Sequence, residues 1–97
     1  MKNITWKSVL EKQNKDNVIV DIRDKETFDQ LKINNDVINL NKDMIDNNQI
    51  NLDKSKKYYI YCNRGMKSKE ITEKLSKMGY DTSNIEGGYQ EYIKNKK

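Results

Sequence analysis

Residues 58–62, Tyr58-Tyr59-Ile60-Tyr61-Cys62, form an uncharged run of aromatic and β-branched residues that stops at Asn63-Arg64-Gly65. Beyond that stop, Ile71, Leu75 and Met78 recur at i, i+4 and i+7, and Gly79 follows as a C-terminal cap. The first half reads as a buried strand, the second as an amphipathic helix. A strand that feeds directly into a helix is the building unit of a parallel sheet. No other segment constrains the architecture as strongly.

The remaining chain repeats the alternation. Thr5 can cap a short helix with Trp6, Val9 and Leu10 on one face. Val18-Ile19-Val20-Asp21-Ile22 is a continuous apolar run broken by one charge, as expected of a strand covered on both faces. Asp24 can cap a second short helix that buries Phe28 and Leu31, and Val37-Ile38-Asn39-Leu40 is a weaker strand. Residues 41–57 are polar, anchored only by Met44, Ile45, Ile50 and Leu52. A short strand is expected near Asn84-Ile85, then a Glu86-Gly87-Gly88 turn and a last helix burying Tyr89, Tyr92 and Ile93. The expected class is α/β, a mostly parallel sheet with helices on both faces. With no repeat, linker or composition break, residues 1–97 are expected to form one domain.

Composition removes several functions. The chain has no His and one Cys, so His-dependent triads, internal disulfides, CxxC redox pairs and His- or Cys-rich metal sites are excluded. No metal is expected. No apolar run approaches the ~18 residues of a membrane span, and Met1-Lys2-Asn3-Ile4-Thr5-Trp6 does not read as a signal peptide, so a cytoplasmic location without membrane partners is expected. The net charge of +4 comes with only two Arg, Arg23 and Arg64, and with acids such as Asp43, Asp46 and Asp53 beside Lys42 and Lys54. That pattern is a solvated surface rather than a nucleic-acid footprint, and the tail Lys94-Asn95-Lys96-Lys97 reads as a solvated end. Tyr58, Tyr59 and Tyr61 read as core contacts rather than a base-stacking row.

One loop carries chemistry: Cys62-Asn63-Arg64-Gly65-Met66-Lys67-Ser68. The Cys stands at the end of the best strand, Gly65 lets the backbone curl, and a helix begins at the far side. Unpaired helical N–H groups would then point into the curl and form an anion nest beside the sulfur. Lowering a thiol from its usual ~8.5 by two units takes about 2.7 kcal/mol. A partly buried helix end offers up to ~2 kcal/mol, with Arg64 and Lys67 available for the rest. The bland alternative is an inert buried thiol. Asp21 and Arg23, at the end of the other strong strand, are expected to tie loops together as an ion pair.

Tyr61-Cys62-Asn63-Arg64-Gly65-Met66-Lys67-Ser68 resembles the active-site loop of the rhodanese-type sulfurtransferases. Val18-Ile19-Val20-Asp21-Ile22-Arg23, with Glu26 and Phe28 after it, resembles that family's first signature, and Asn84-Ile85-Glu86-Gly87-Gly88-Tyr89 its C-terminal segment. The resemblance implies a rhodanese-like fold with a five-stranded sheet flanked by helices. It also implies a cofactor-free sulfur shuttle in which Cys62 takes a sulfane sulfur from thiosulfate or a similar donor. A thiol or sulfur-carrier protein would accept it. Asn63, Arg64, Gly65, Met66, Lys67 and Ser68 would form the substrate-binding loop, with Lys67 standing where the family frequently has Arg. A Cys-x5-Arg phosphatase is disfavoured because the sixth residue after Cys62 is Ser68, which cannot fork onto a phosphoryl group. A persulfide carrier in a relay and a non-catalytic interaction module are the competing expectations.

Overall fold

The computed structural model describes residues 2–95. Strands β1 (Asn3–Ile4), β2 (Asn17–Asp21), β3 (Ile38–Asn39), β4 (Lys57–Tyr61) and β5 (Asp81–Ile85) make one sheet in the order β1-β5-β4-β2-β3. Every pairing between them is parallel. The helices are α1 (Trp6–Lys12), α2 (Lys25–Leu31), α3 (Lys42–Asp46), α4 (Met66–Lys77) and α5 (Gly88–Asn95). Lys96 and Lys97 of the expected solvated tail lie outside the described residues.

Side chains alternate across the two central strands and so build two cores. On one face Ile19, Tyr59 and Tyr61 pack with Trp6 and Val9 of α1, Ile85, and the partly buried Phe28, Tyr89 and Tyr92 of α2 and α5. On the other face Val20, Tyr58 and Ile60 pack with Ile45 of α3 and Leu75 of α4. Each such side chain, once fully buried, contributes roughly 1.5–3 kcal/mol. The three tyrosines are core contacts, as expected from the sequence. All three hydroxyls find partners: Tyr58 Oη accepts from Asp53 N at 2.7 Å, Tyr59 donates to Asn17 Oδ1 at 2.8 Å, and Tyr61, the most deeply placed, donates to Asp21 Oδ2 at 2.9 Å.

The expected caps form. Thr5 Oγ1 accepts from Ser8 N and Asp24 Oδ1 from Thr27 N, at 3.3 and 2.8 Å. Several expectations need correction. Leu10, Leu31 and Ile93 are exposed, at 41%, 44% and 42%, because helices of seven or eight residues bury only a narrow stripe. Helix α4 ends at Lys77 and Met78 is exposed rather than on its buried face, whereas Gly79 caps the helix as expected: at φ +98° its N donates to Ser76 O and Tyr80 N to Leu75 O. Cys62 is the first residue beyond β4 rather than its last. The polar stretch 41–57 holds a one-turn helix, α3, capped by the Asn41 side chain. Strand β1 was not foreseen, and it pairs with β5 at the far end of the sequence.

Candidate active site

The chain leaves β2 for β3 on one side and returns to β4 on the other. The carboxyl ends of β2 and β4 therefore lie side by side, with Asp21 opposite Tyr61, at the crevice where parallel sheets bind ligands. Cys62 sits directly past this point and its backbone is fixed from two directions. Ile22 N donates to Tyr61 O at 3.0 Å, and at the start of α5 Tyr89 N donates to Cys62 O at 2.8 Å and Gln90 N to Asn63 O at 3.0 Å. Close approach of α5 requires Gly88: with φ +60°, a side chain there would run into the Cys62 carbonyl oxygen.

The loop then curls around the sulfur. Gly65 takes φ +91° at the entry to α4, a conformation that turns the chain back on Cys62. Gly65 N donates to Cys62 Sγ at 3.1 Å and Ser68 N at 3.4 Å, while Sγ stands 3.5 Å from Ser68 Oγ, to which the thiol can donate. Burial pushes the thiol pKa up. The Ser68 hydroxyl, when it donates to the ionised sulfur, and the amides of Ser68, Gly65 and Arg64 pull it down further, leaving it below the ordinary value. Cys62 is only 8% exposed. It lies in the floor of an open cleft of about 1060 Å³ lined by Arg23 and Asp24, by Asn41 and Lys42, by Arg64, Met66 and Lys67, and by Tyr89 and Gln90.

The loop residues divide by position. Gly65 and Ser68 are buried against the sulfur, whereas Asn63, Arg64, Met66 and Lys67 are exposed, Met66 at 73%. Arg64 and Lys67 bring positive charge to the cleft wall without an ion-pair partner among those of the described residues. Asp21 and Arg23 lie beneath this wall. The Asp21 carboxylate is fully buried and accepts from Arg23 N, Nε and Nη2 and from Tyr61 Oη, the last two at 2.8 and 2.9 Å. Arg23 also donates to Leu31 O at 3.1 Å and stacks over Tyr89, 4.4 Å from the ring centroid. Burial alone would lower the Arg23 pKa, but Asp21 outweighs it and the guanidinium stays charged. The pair thus pins the ends of β2, α2, β4 and α5 together.

Sequence reading missed Asn84. It is fully buried on β5 and accepts a hydrogen bond from the Ser68 hydroxyl. A lone Asn before Ile85 carries no local signal, and only the parallel register of β4 and β5 brings it beside the loop. Among the described residues no group of three His, Cys, Asp or Glu side chains could hold a metal ion, and no helix is long and apolar enough to cross a membrane.

This geometry has relatives. A rhodanese-like domain protein from Staphylococcus aureus superposes with a TM-score of 0.79 at 33% identity, over 95% of this chain and 91% of that one. A rhodanese-related protein from Thermoplasma volcanium gives 0.88 at 25% identity, over 99% and 94%. A protein from Staphylococcus saprophyticus gives 0.79 at 28%, over 95% and 93%. None of the curated proteins compared with the chain matches it. The rhodanese-like domain family matches residues 5–95, nearly the whole chain, and together with the parallel sheet and the loop at its switch point this makes the chain a member of that family, within the sulfurtransferase superfamily.

Proposed function

We propose that the chain is a sulfurtransferase that carries sulfur as a Cys62 persulfide. The observation that supports this reading is the pair of amides, Gly65 and Ser68, aimed at Sγ at 3.1 and 3.4 Å in the floor of an open cleft. They favour an anionic sulfur, and an anionic sulfur needs no general base, which suits a chain without His. The Cys62 thiolate attacks the outer sulfur of thiosulfate or a similar donor. The donor S–S bond breaks, sulfite leaves with its electron pair, and Cys62 is left as a persulfide anion. A thiol, a sulfur-carrier protein or, in an assay, cyanide then attacks the terminal sulfur and takes it, returning the thiolate. Arg64 and Lys67 would hold the anionic end of the donor. Asn63 and Met66 would border its path.

No metal or cofactor takes part in this scheme. A single thiol working as a thiolate fits the reducing cytoplasm, and we assign residues 1–97 to one folding unit. Phosphate-ester hydrolysis is the weaker alternative on this fold. Ser68 occupies the place of the phosphatase Arg, and it is buried and engaged with Asn84.

Purified protein mixed with thiosulfate and cyanide should form thiocyanate, and Cys62→Ser should form none above the uncatalysed rate. Equal rates for the two proteins refute sulfur transfer from thiosulfate. A persulfide carrier would instead gain the mass of one sulfur atom only when a desulfurase is added. A non-catalytic module would gain none under either condition.

A further inference from the structure

Behind the sulfur, a chain of polar side chains runs from buried Cys62 through buried Ser68 and Asn84 to exposed Asn3. The Cys62 thiol faces Ser68 Oγ at 3.5 Å, the Ser68 hydroxyl donates to Asn84 Oδ1, and Asn84 Nδ2 donates to Asn3 Oδ1 at 3.2 Å. Ser68 and Asn84 are both 0% exposed, so neither can turn to water for a missing partner. Ser68 has one hydroxyl proton. In the observed arrangement that proton belongs to Asn84, and Ser68 can only accept from sulfur, which suits the neutral thiol. An anionic sulfur needs the opposite arrangement, with the Ser68 proton turned to Sγ and a donor supplied to Ser68 Oγ from behind.

An Asn side chain can provide both arrangements. Rotating its amide by half a turn exchanges the carbonyl oxygen for the NH2 group. With Asn84 Nδ2 towards Ser68, Ser68 accepts from Asn84 and donates to the sulfur. Asn84 Oδ1 then faces Asn3, whose own amide sits on the exposed strand β1 and can turn to donate. Every polar atom stays paired in both states. We propose that Asn84 is a positioning residue that turns its amide with the charge of the sulfur, so that the Ser68 hydroxyl accepts from Cys62 as a thiol and donates to it as a thiolate or persulfide.

Asp in place of Asn84 keeps the shape but only accepts when ionised, holding the Ser68 proton away from sulfur. The inference rests on Cys62 being the reacting sulfur proposed above. Its test, the pH dependence of Cys62 alkylation by iodoacetamide, needs no sulfur donor, so absent turnover would leave it standing or falling by itself. Four proteins are compared: wild type, Asn84→Asp, Ser68→Ala and the double variant. The charged groups lining the cleft are common to all four: Arg23, Asp24 and Lys25 from the α2 side, Lys42, Asp43 and Asp46 from α3, and Arg64, Lys67, Glu70 and Lys74 from the loop and α4. Their fields cancel in the comparison.

Asn84→Asp should raise the Cys62 pKa by about one unit or more, a tenfold fall in its ionisation constant. With Ser68→Ala beneath it, the same substitution should shift the pKa by less than half as much. An equal shift in both backgrounds would mean that the new charge acts through space, and the inference would be overturned. Should Asn84→Asp not fold, the wild-type protein decides. Its Asn84 side-chain amide resonances should titrate with the midpoint of Cys62 alkylation and stay constant in Cys62→Ala. Resonances that ignore the wild-type thiol titration overturn the proposal.

Discussion

The smallest parts with the largest effect are two glycines and one sulfur. Gly88→Ala would force a side chain into the Cys62 carbonyl oxygen at a positive φ, so it should cost about 2 kcal/mol or more in urea unfolding. The sulfur has its own pH signature. Because the folded thiol ionises more easily than an unfolded one, the native state gives up its proton first. Its contribution to stability is therefore present above the unfolded thiol value near ~8.5 and is lost as pH falls through the lower folded value. Urea unfolding of wild type and Cys62→Ala should thus diverge in favour of wild type as the pH rises towards about 9. This loop was legible in the sequence because its signals are local: a strand's end, a glycine and a helix's start within seven residues. Asn84 was not, since its partner Ser68 lies 16 residues away and only the fold joins them.

At the level of elements, the ends of β2, α2, β4 and α5 are joined through one ion pair. Asp21 is 0% exposed and the Arg23 side chain 7%, so removing the carboxylate strands a charge beneath the cleft. Asp21→Ala should destabilise the protein by roughly 3–5 kcal/mol in chemical unfolding, far more than the loss of an exposed pair such as Lys25–Asp29. The strands β2 and β4 and the helix α4 were legible because each has several consecutive or periodic apolar residues. Strand β1 was not: two residues, Asn3 and Ile4, take their pairing from β5 about eighty positions away. Helix α3 is a single turn, shorter than any period can show. In the short helices, neighbouring apolar positions compete for one narrow face. Val9 won over Leu10 and Tyr92 over Ile93.

Across the whole molecule, the two ends of the chain close on each other. Trp6 is 3% exposed, donates Nε1–H to Gly88 O at 2.8 Å, and packs on Tyr61 and Tyr92 with ring centroids 5.0 and 5.1 Å away. It touches the first helix, the central strand and the last helix at once. Trp6 fluorescence and far-UV circular dichroism should therefore trace one coincident unfolding curve. An earlier fluorescence change would show β1 and α1 detaching by themselves and would count against residues 1–97 acting as one unit.

The depth of the sulfur has a further consequence for the fate of the chain in air. A disulfide between two copies needs their α-carbons within about 7 Å, and a cysteine 8% exposed in the floor of a cleft cannot be met at that range by an identical floor. Oxidants that are small enough to enter can reach Cys62; a twin molecule cannot, and aerated solutions should hold the chain free of covalent dimers.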